Sequence, residues 1–482
     1  MTPITFPDGG NESYNKPFHI SELRQAITIA KSKAPGPDQI PFSFIQHLTP
    51  EQEQQLLFFY NYLFTHGFPS QWQEAVIIPI LKPTKQASDA SSYRPIALTN
   101  SLCKLLEKII TRRLQAYLEE NNFYDHQSGF RAGHSTLDAL TRLESSVKES
   151  MLLNKYCVAV FLDIAGAFDC VWHHGLLQKL KQMGMKSNLP DFIQQFLSKR
   201  SIRVRINGSL SQSHSLYCGT PPGSVISPTL FNIAINDMFK NSPDGLNYSL
   251  YADDGAMWTT SAELPEAIET IQSALQKIEE WSHQWGFQIS PSKTKAIIFS
   301  RKRNNNALPL QLLNKDIQYV KYTKFLGLTF DHKLNWSHHI NELKNKCQKD
   351  LRLLIIISAC KWGSDYETLK RLYTSLTRPK LEYACFLYST AATSNLIHLD
   401  RIQFSAIRIM LGALRCTCTY KLEVEANLMP LKLRRDMLLA QYANRIISIP
   451  NHPVRSNLLR SQQYHQIIGN DYLLPATNRI LK

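Results

Sequence analysis

Residues 246–260, LNYSLYADDGAMWTT, place two acidic side chains between two short apolar runs. The runs 246–251 and 255–260 are rich in aromatic and small apolar residues, and they predict two short strands. We therefore expect a β-hairpin with Asp253 and Asp254 at its turn. Aspartate is common in turns, so this pair by itself indicates only turn chemistry.

A third acid, Asp163, ends another apolar run, 156–164 (YCVAVFLDI), which predicts a strand rich in Val and Phe. Carboxylates at strand ends in a hydrophobic sheet must be solvated, paired or bound to metal. If this strand pairs beside the hairpin, the three acids meet in one patch and repel each other. Divalent cations relieve that repulsion, and hard oxygen ligands favour Mg²⁺.

Apolar periodicity outside these runs predicts a mixture of helices and strands. Helices are expected at 50–66, 101–121, 174–184, 190–199, 227–239 and 264–285, and strands at 201–208, 213–218 and 295–300. Short strands near 317–330 precede a long helical stretch at about 337–448. This change from mixed helices and strands to a long helical stretch predicts a domain boundary near 301–340.

The sequences around the three acids resemble the motifs of reverse transcriptases. The box 251–254 (YADD) is similar to the family's paired-aspartate box, and 161–164 (FLDI) with 167–173 (AFDCVWH) resembles its A motif in the form seen in jockey-like LINE elements. The B motif is similar to 219–228 (GTPPGSVISP). Five further stretches resemble motifs of the same family and follow the family's order along the chain. They are 34–38 (APGPD), 93–98 (YRPIAL), 127–131 (QSGFR), 290–295 (SPSKTK) and 325–327 (FLG).

This resemblance implies an α+β right-hand polymerase fold, with fingers, a palm whose antiparallel sheet is backed by helices, and a helical thumb. We expect a leader at 1–20, fingers with an N-terminal extension at 21–155, the palm at 156–335, the thumb or connection at 336–450 and a tail at 451–482. The implied activity is RNA-directed DNA polymerisation by a non-LTR retrotransposon enzyme. Its partners would be an RNA template, a DNA primer or target, and dNTPs.

The same resemblance implies the metal ligands. Asp163, Asp253 and Asp254, together with the backbone carbonyl of Ile164, would hold two Mg²⁺ ions, with Mn²⁺ as a substitute. Such a pair activates an attacking 3′-hydroxyl and stabilises the leaving pyrophosphate. The neighbouring acid Asp169 is expected to cap the following helix instead.

Other residues are expected to act on the nucleotide. Arg94 and Arg131 would grip the triphosphate, because a guanidinium matches phosphate geometry. Phe168 would stack under the sugar and exclude a ribose 2′-hydroxyl. Gly223 would permit close backbone approach to a base or template strand. Core packing for Phe168 and a solvated surface position for either arginine are the alternatives.

Lys293 would protonate or neutralise the leaving pyrophosphate, and Lys295 is the competing choice.

Two positions depart from the family pattern. Pro222 stands where the B motif usually has Gln, whose side chain contacts the incoming nucleotide in relatives. Proline cannot make that contact and has no backbone N–H. Ile289-Ser290 replaces the usual Leu-Asn of the D motif. The alternative function is therefore a decayed or co-opted copy that binds RNA without polymerising. A maturase also resembles this family, but the extra RNA-binding domain it normally carries is not identifiable in this sequence.

Composition agrees with a nucleic-acid partner. The formal net charge is +15 and the isoelectric point is about 9.3, which favours polyanion binding through counterion release. A basic protein that is simply soluble is the alternative. The nine cysteines include no CxxC pair, and residues 1–10 do not resemble a signal peptide. We therefore expect an intracellular protein of the nucleus and cytoplasm that is not secreted.

No membrane association is expected either. The apolar run 351–360 is too short to span a bilayer and predicts a buried helix.

Overall fold

The computed structural model describes residues 4–9, 11–29, 34–83, 85–121, 123, 126–302, 307–359 and 362–455. Helices and strands are mixed, as the sequence predicts. The chain divides into two compact units, each built from separate segments. The first unit comprises Met1–Arg131, Ile164–Asn241 and Ile278–Ile289, and the second comprises Ala132–Asp163, Ser242–Lys277 and Ser290–Lys482. The division into fingers, palm and thumb stays a prediction.

The helices are α1 Ile20–Thr28, α2 Phe42–Gln46, α3 Pro50–His66, α4 Ser101–Glu120, α5 Thr136–Leu152, α6 His173–Gln182, α7 Asn188–Leu197, α8 Ser227–Ile235, α9 Leu264–Trp285, α10 Ser337–Ile357, α11 Tyr366–Leu372, α12 Arg378–Glu382, α13 Cys385–Tyr388, α14 Thr393–Leu411, α15 Thr419–Glu425 and α16 Leu431–Ser448. Each helix predicted in the first 300 residues is present with similar bounds, but α2 and α5 were not predicted, and the long stretch predicted after 337 is broken into several helices. Three-residue helical turns at Ser13–Asn15, Ser70–Trp72 and Ala90–Ser92, and a π-helical segment at Tyr373–Thr377, complete the set among the described residues.

The strands are β1 Glu74–Leu81, β2 Tyr93–Leu98, β3 Tyr156–Ala165, β4 Arg200–Ile206, β5 Ser209–Leu210, β6 His214–Leu216, β7 Asn247–Tyr251, β8 Asp254–Ser261, β9 Gln288–Ile289, β10 Lys295–Phe299, β11 Gln311–Leu312, β12 Lys315–Asp316, β13 Gln318–Tyr319, β14 Tyr322–Phe325 and β15 Leu328–Asp331. They include two longer ones, β1 and β2, and three two-residue ones, β9, β11 and β12, that the sequence did not predict.

The sheet of the second unit is built around β3. Its order is β13-β10-β3-β8-β7, so β3 pairs with an antiparallel neighbour on each side. Residues 157–162 of β3 are all buried, which explains why this strand is a continuous apolar run without alternation. Helix α5 supplies Leu140, Leu143 and Val147 to the same apolar core. A strand buried on both faces has little freedom to shift, and it fixes the position of Asp163.

The first unit has its own sheet, in the order β2-β1-β4-β5 with β6 on β4. Ala75, Ile77 and Ala97 form a small apolar core there. Helix α4 is buried along most of its length. It therefore presents polar side chains such as Glu107 to the interior of this unit.

The apolar run 351–360 is helical only as far as Ile357, and its predicted burial is wrong for most of the described residues. Leu354 is buried, whereas Leu353, Ile355 and Ile356 are exposed. None of the described helices has the length and apolar content needed to cross a membrane.

The junction between β15 and α10 is held by a buried carboxylate. Asp331 accepts hydrogen bonds from the backbone N–H groups of Lys333 (3.1 Å), Asn335 (3.1 Å) and Trp336 (2.7 Å). Trp336 is fully buried in the left-handed region at φ 61°, and its ring N–H donates to Thr390 Oγ1 at 3.1 Å. The carboxylate therefore compensates a backbone conformation that is unfavourable for a large side chain.

We predict that Asp331→Ala destabilises the protein by about 3 kcal/mol, because it leaves buried N–H groups without an acceptor. The exposed Asp316 on β12 provides the control, and Asp316→Ala should change the free energy of unfolding by less than about 0.5 kcal/mol. Urea unfolding followed by circular dichroism measures both variants. Equal stabilities for the two would contradict this role of Asp331.

Candidate active site

Strand pairing in the second unit brings together the three acids that the sequence singles out. Asp163 on β3 lies directly opposite Asp254 on β8. Tyr251 pairs with Asp254 across the β7–β8 hairpin, so Ala252 and Asp253 form a two-residue turn. Directly opposed residues of antiparallel strands have Cβ atoms about 5 Å apart. The carboxyl groups therefore share one end of the sheet.

The turn carries backbone strain beside the acids. Ala252 has φ 54°, a left-handed conformation that two-residue hairpin turns require and that glycine or asparagine usually supplies. Its side chain is buried. A strained residue that is held by its surroundings is typical of functional sites.

Electrostatics in the cluster favour a cation. The carboxyl group of Asp254 is partly surrounded by protein although the residue keeps solvent exposure, and this desolvation raises its pKa. Repulsion from Asp253 and Asp163 raises the pKa of Asp254 further. Three carboxylates that repel each other at a solvent-accessible sheet end form a donor set that fits a hard divalent cation such as Mg²⁺.

A tight turn after β9 directs Lys293 at the acids. The N–H of Ser290 donates to the backbone carbonyl of Asp163 at 2.9 Å, and the hydroxyl of Thr294 donates to the carbonyl of Ser290 at 2.9 Å. Lys293 Nζ then lies 3.1 Å from Asp163 Oδ2. Because Ser290 contributes a backbone N–H, its departure from the family's Asn leaves this contact in place.

The competing lysine points elsewhere. Lys295 Nζ donates to Gln318 Oε1 at 2.8 Å, on the neighbouring strand β13. Of the two lysines, Lys293 is therefore the one that contacts an acid of the cluster. The side chain of Lys293 is 65% exposed, so its ion pair adds little stability and leaves the ammonium free to move.

The remaining predicted site residues belong to the first unit. They are Ile164, Arg94, Arg131, Phe168 and Gly223. Ile164 is joined to Asp163 by a peptide bond, and its N–H and carbonyl group lie where β3 pairs with Ile289 of β9. That these five residues act together with the three acids stays a prediction.

Phe168 sits in an aromatic group within the first unit. Its ring stacks on Phe231 at 4.6 Å between centroids, and the ring of Phe130 meets it edge-on at 6.2 Å. Phe231 is fully buried whereas Phe168 is partly exposed. The ring of Phe168 is therefore fixed by two aromatic neighbours and remains partly exposed.

The B-motif loop approaches the backbone of neighbouring segments closely at two glycines. Gly223 has φ 102°, and a Cβ there would lie 2.9 Å from the carbonyl oxygen of Ala97. Gly219 has φ 83°, and its Cβ would lie 2.8 Å from the carbonyl oxygen of Asp169. Neither position accepts a side chain without a shift of backbone. Pro222 contributes its carbonyl group, which accepts from the N–H of Ala97 at 2.7 Å.

The two predicted triphosphate ligands differ in environment. Arg94 is exposed on β2. Arg131 binds Glu119 through two contacts of 2.8 and 2.6 Å, and it also donates to the carbonyl of Gln127 at 2.8 Å. In this structure Arg131 holds the 127–131 turn against α4. To bind a triphosphate it would have to exchange Glu119 for phosphate.

Asp169 does not cap the following helix as predicted. Helix α6 starts at His173 with Trp172 at its N-cap, and the N–H of Asp169 donates instead to Gly166 in a turn. Burial raises the pKa of the Asp169 carboxyl group. This turn precedes α6 along the chain, and Gly166 adopts a positive φ of 57° in it.

Sequence reasoning missed a second polar cluster, in the second unit. Among the described residues, His134, Asp138 and His452 are the one group of three His, Cys, Asp or Glu side chains whose ligand atoms all lie within 4.8 Å of one another. The two imidazole rings are stacked, 4.7 Å apart and 14° from parallel. In-plane lone pairs of stacked rings do not converge on one ion, so this geometry does not fit a metal site.

Asp138 instead acts as a structural acceptor. Its carboxylate accepts hydrogen bonds from the guanidinium of Arg445 at 2.8 Å, the hydroxyl of Tyr442 at 3.0 Å and the backbone N–H of Ser135 at 2.7 Å. Burial alone would raise the pKa of Asp138, but the contacts with His452 and Arg445 keep it below its ordinary value. The capping pattern Ser135-x-x-Asp138 is the signal from which this role could have been inferred.

Comparison with known proteins places these features in a family. The family described as "Reverse transcriptase (RNA-dependent DNA polymerase)" matches residues 80–330. The RNA-directed DNA polymerase from mobile element jockey of Drosophila melanogaster is 30% identical over 92% of this chain and 50% of its own length. The probable RNA-directed DNA polymerase from transposon BS of the same fly is 30% identical over 82% of this chain and 44% of its own length.

These matches confirm the predicted resemblance to jockey-like enzymes. The chain spans about half the length of these curated relatives. A solved structure of apo telomerase from Candida tropicalis, truncated from its C-terminal domain, aligns at 12% identity with a TM-score of 0.38, over 61% of this chain and 59% of that one. That likeness is too weak to support a fold assignment.

We predict that Asp253→Asn lowers Mn²⁺ affinity by about tenfold or more, because affinity at oxygen sites follows the number of ligand charges. Asp244, an exposed acid of the same unit, provides the control. Asp244→Asn should bind Mn²⁺ as the unmodified protein does. Isothermal titration calorimetry measures all three proteins, and an unchanged affinity for Asp253→Asn would exclude this residue as a ligand.

Proposed function

This chain belongs to the reverse transcriptase (RNA-dependent DNA polymerase) family, and on that premise we propose that it is the RNA-directed DNA polymerase part of a non-LTR retrotransposon protein. The proposed reaction joins the 3′-oxygen of a primer to the α-phosphorus of a dNTP and breaks the bond to the bridging oxygen, releasing pyrophosphate. RNA is the proposed template, and a DNA primer or target is the second strand.

One observation carries this proposal: Asp163 and Asp254 are directly opposed across β3 and β8, with Asp253 in the adjoining turn. Two Mg²⁺ ions, or Mn²⁺ in their place, would supply activation of the 3′-hydroxyl and stabilisation of the developing negative charge. The protein contributes a rigid set of carboxylates, because the strand that carries Asp163 is buried on both faces. The carbonyl group of Ile164 is the proposed additional ligand.

Lys293 is the proposed proton donor to the leaving pyrophosphate. Its Nζ lies beside Asp163, and an exposed, flexible ammonium can turn from that carboxylate to a nearby phosphate oxygen. Transfer of its proton neutralises charge on the leaving group as the bond to the α-phosphorus breaks.

The nucleotide itself would be recognised by residues of the first unit. Phe168, whose ring stacks on Phe231, is the proposed contact of the sugar. Gly223 is proposed to permit close backbone approach to a base or template strand. Arg94 and Arg131 are the proposed triphosphate ligands, the latter after release of Glu119.

The wider expectations remain proposals of the same kind. They are fingers with the N-terminal extension at 21–155, palm at 156–335 and thumb at 336–450, flanked by the leader 1–20 and the tail 451–482. The nucleus and cytoplasm are the proposed location, because reverse transcription of a mobile element's RNA ends in chromosomal DNA.

Pro222 favours a second candidate function, an RNA-binding protein without polymerase activity. It replaces the amide side chain that contacts the nucleotide in relatives. Its carbonyl group nevertheless holds the loop to Ala97, and both glycines of the loop keep their close approach. The substitution therefore removes one side-chain contact and leaves the loop's shape in place.

We predict that the purified protein extends a DNA primer on an RNA template with Mg²⁺, and that Asp253→Ala/Asp254→Ala abolishes this extension while leaving RNA binding intact. A primer-extension assay with a parallel filter-binding measurement separates the two candidates. RNA binding without extension by the unmodified protein would favour the non-polymerising alternative.

We predict further that Lys293→Met lowers the maximal rate of incorporation by about 100-fold, the lower end of what general acid catalysis contributes. Lys295→Met is the matched control, because its ammonium contacts Gln318 instead, and it should stay within about threefold of the unmodified rate. Single-turnover incorporation measures both. A loss for Lys295→Met that equals the loss for Lys293→Met would contradict the assignment.

A further inference from the structure

A fully buried carboxylate lies beneath the B-motif loop in the first unit. Glu107, in the middle of α4, has no exposed surface. A buried carboxylate is unfavourable unless hydrogen bonds and opposite charges compensate it. Its partners therefore indicate what the residue holds in place.

The donors come from three consecutive residues of the loop. One oxygen, Oε2, accepts a hydrogen bond from the hydroxyl of Ser224, from the N–H of Val225 at 2.7 Å and from the N–H of Ile226 at 3.3 Å. The second oxygen accepts from the thiol of Cys103 at 3.2 Å. Hydrogen bonds to an ionised acceptor are roughly twice as strong as neutral ones.

Opposite charges accompany these bonds. Burial lowers the pKa of the nearby Lys104 and Arg200 side chains, and attraction to the Glu107 carboxylate opposes part of that lowering. The accepting oxygen also lies at the start of α8, where the helix dipole favours a negative group. Hydrogen-bond donors and cationic side chains thus surround the carboxyl group of Glu107.

The same loop is tied to the nucleotide-facing residues on its other side. The N–H of Thr220 donates to the carbonyl of Phe168 at 2.9 Å, and His173 Nε2 lies 2.6 Å from the carbonyl oxygen of Gly219. The carbonyl of Pro222 accepts from Ala97. Backbone groups and His173 thus hold residues 219–222. The side chain of Glu107 accepts a hydrogen bond from each of residues 224–226, and the N–H of Ser224 also donates to the carbonyl of Pro221 at 3.1 Å.

We propose that Glu107 is a positioning residue for the incoming nucleotide: by binding 224–226 it sets the backbone at Gly223 and, through the loop, the ring of Phe168. The inference rests on the proposed polymerase function. Glu107 itself touches neither substrate nor metal. Its loss would loosen the loop while the three acids keep their places in the sheet of the second unit.

The test uses variants that remove the interaction from either side. Glu107→Gln keeps the size of the side chain and loses the charge, and Ser224→Ala removes one donor. The control is Glu22→Gln, which breaks another carboxylate contact with α4, that of Glu22 with Arg113. Steady-state incorporation gives kcat, the KM for dNTP and the KM for primer–template, and ribonucleotide incorporation is measured alongside.

For Glu107→Gln we expect the KM for dNTP to rise about tenfold, with the KM for primer–template unchanged and ribonucleotide incorporation increased relative to dNTP. Ser224→Ala should raise the KM for dNTP by a smaller factor. The double variant should be no worse than Glu107→Gln alone, because both substitutions break the same interaction. Glu22→Gln should leave both KM values and the ribonucleotide preference unchanged.

Two results would overturn the inference: an unchanged KM for dNTP, or equal rises in the KM for dNTP and for primer–template, which a general structural role produces. If Glu107→Gln does not fold by circular dichroism, Ser224→Ala alone decides between these outcomes. Failure of the unmodified protein to incorporate dNTP would overturn the proposed function, and this inference with it. An active unmodified protein with an unaffected Glu107→Gln variant would overturn only the inference.

Discussion

Repulsion among three carboxyl groups is the interaction on which the candidate site depends. Asp163, Asp253 and Asp254 are brought together by backbone pairing, and desolvation together with the proximity of the other two acids raises the pKa of Asp254. A protein maintains such a cluster only if the surrounding structure is rigid and a cation compensates the charge. The buried strand β3 provides the rigidity, and the donor set fits the cation.

Elsewhere the chain uses buried carboxylates for the opposite purpose. Glu107, Asp138 and Asp331 each accept a hydrogen bond from a backbone N–H just before a helix begins. Buried N–H groups need an acceptor, and an ionised carboxylate can satisfy two or three at once. In both units, the loops between motifs are thus positioned by acids that sit beneath them, whereas the acids of the site lie open to solvent.

The parts that could be predicted from sequence are those with local patterns. The apolar runs around Asp163 and Asp253 predict strands and a hairpin, whereas the pairing of β3 with β8 is a condition of the sequence argument and is seen only in the structure. Strands β1 and β2 were missed because each contains a proline, which argues against a strand. Pro79 and Pro95 in fact face each other in the pair, at positions beyond the part of β1 that pairs with β4. The contacts of Glu107 with Ser224 and of Arg131 with Glu119 join distant segments, and no local pattern reveals them.

The most direct measurement is anomalous scattering from crystals of the full chain grown with Mn²⁺, primer–template and an incoming dNTP. If the three acids form a two-metal site, two manganese peaks about 3.5–4 Å apart will lie between Asp163 and the pair Asp253 and Asp254. Manganese bound only elsewhere on the protein, with no density between these carboxylates, would contradict the account.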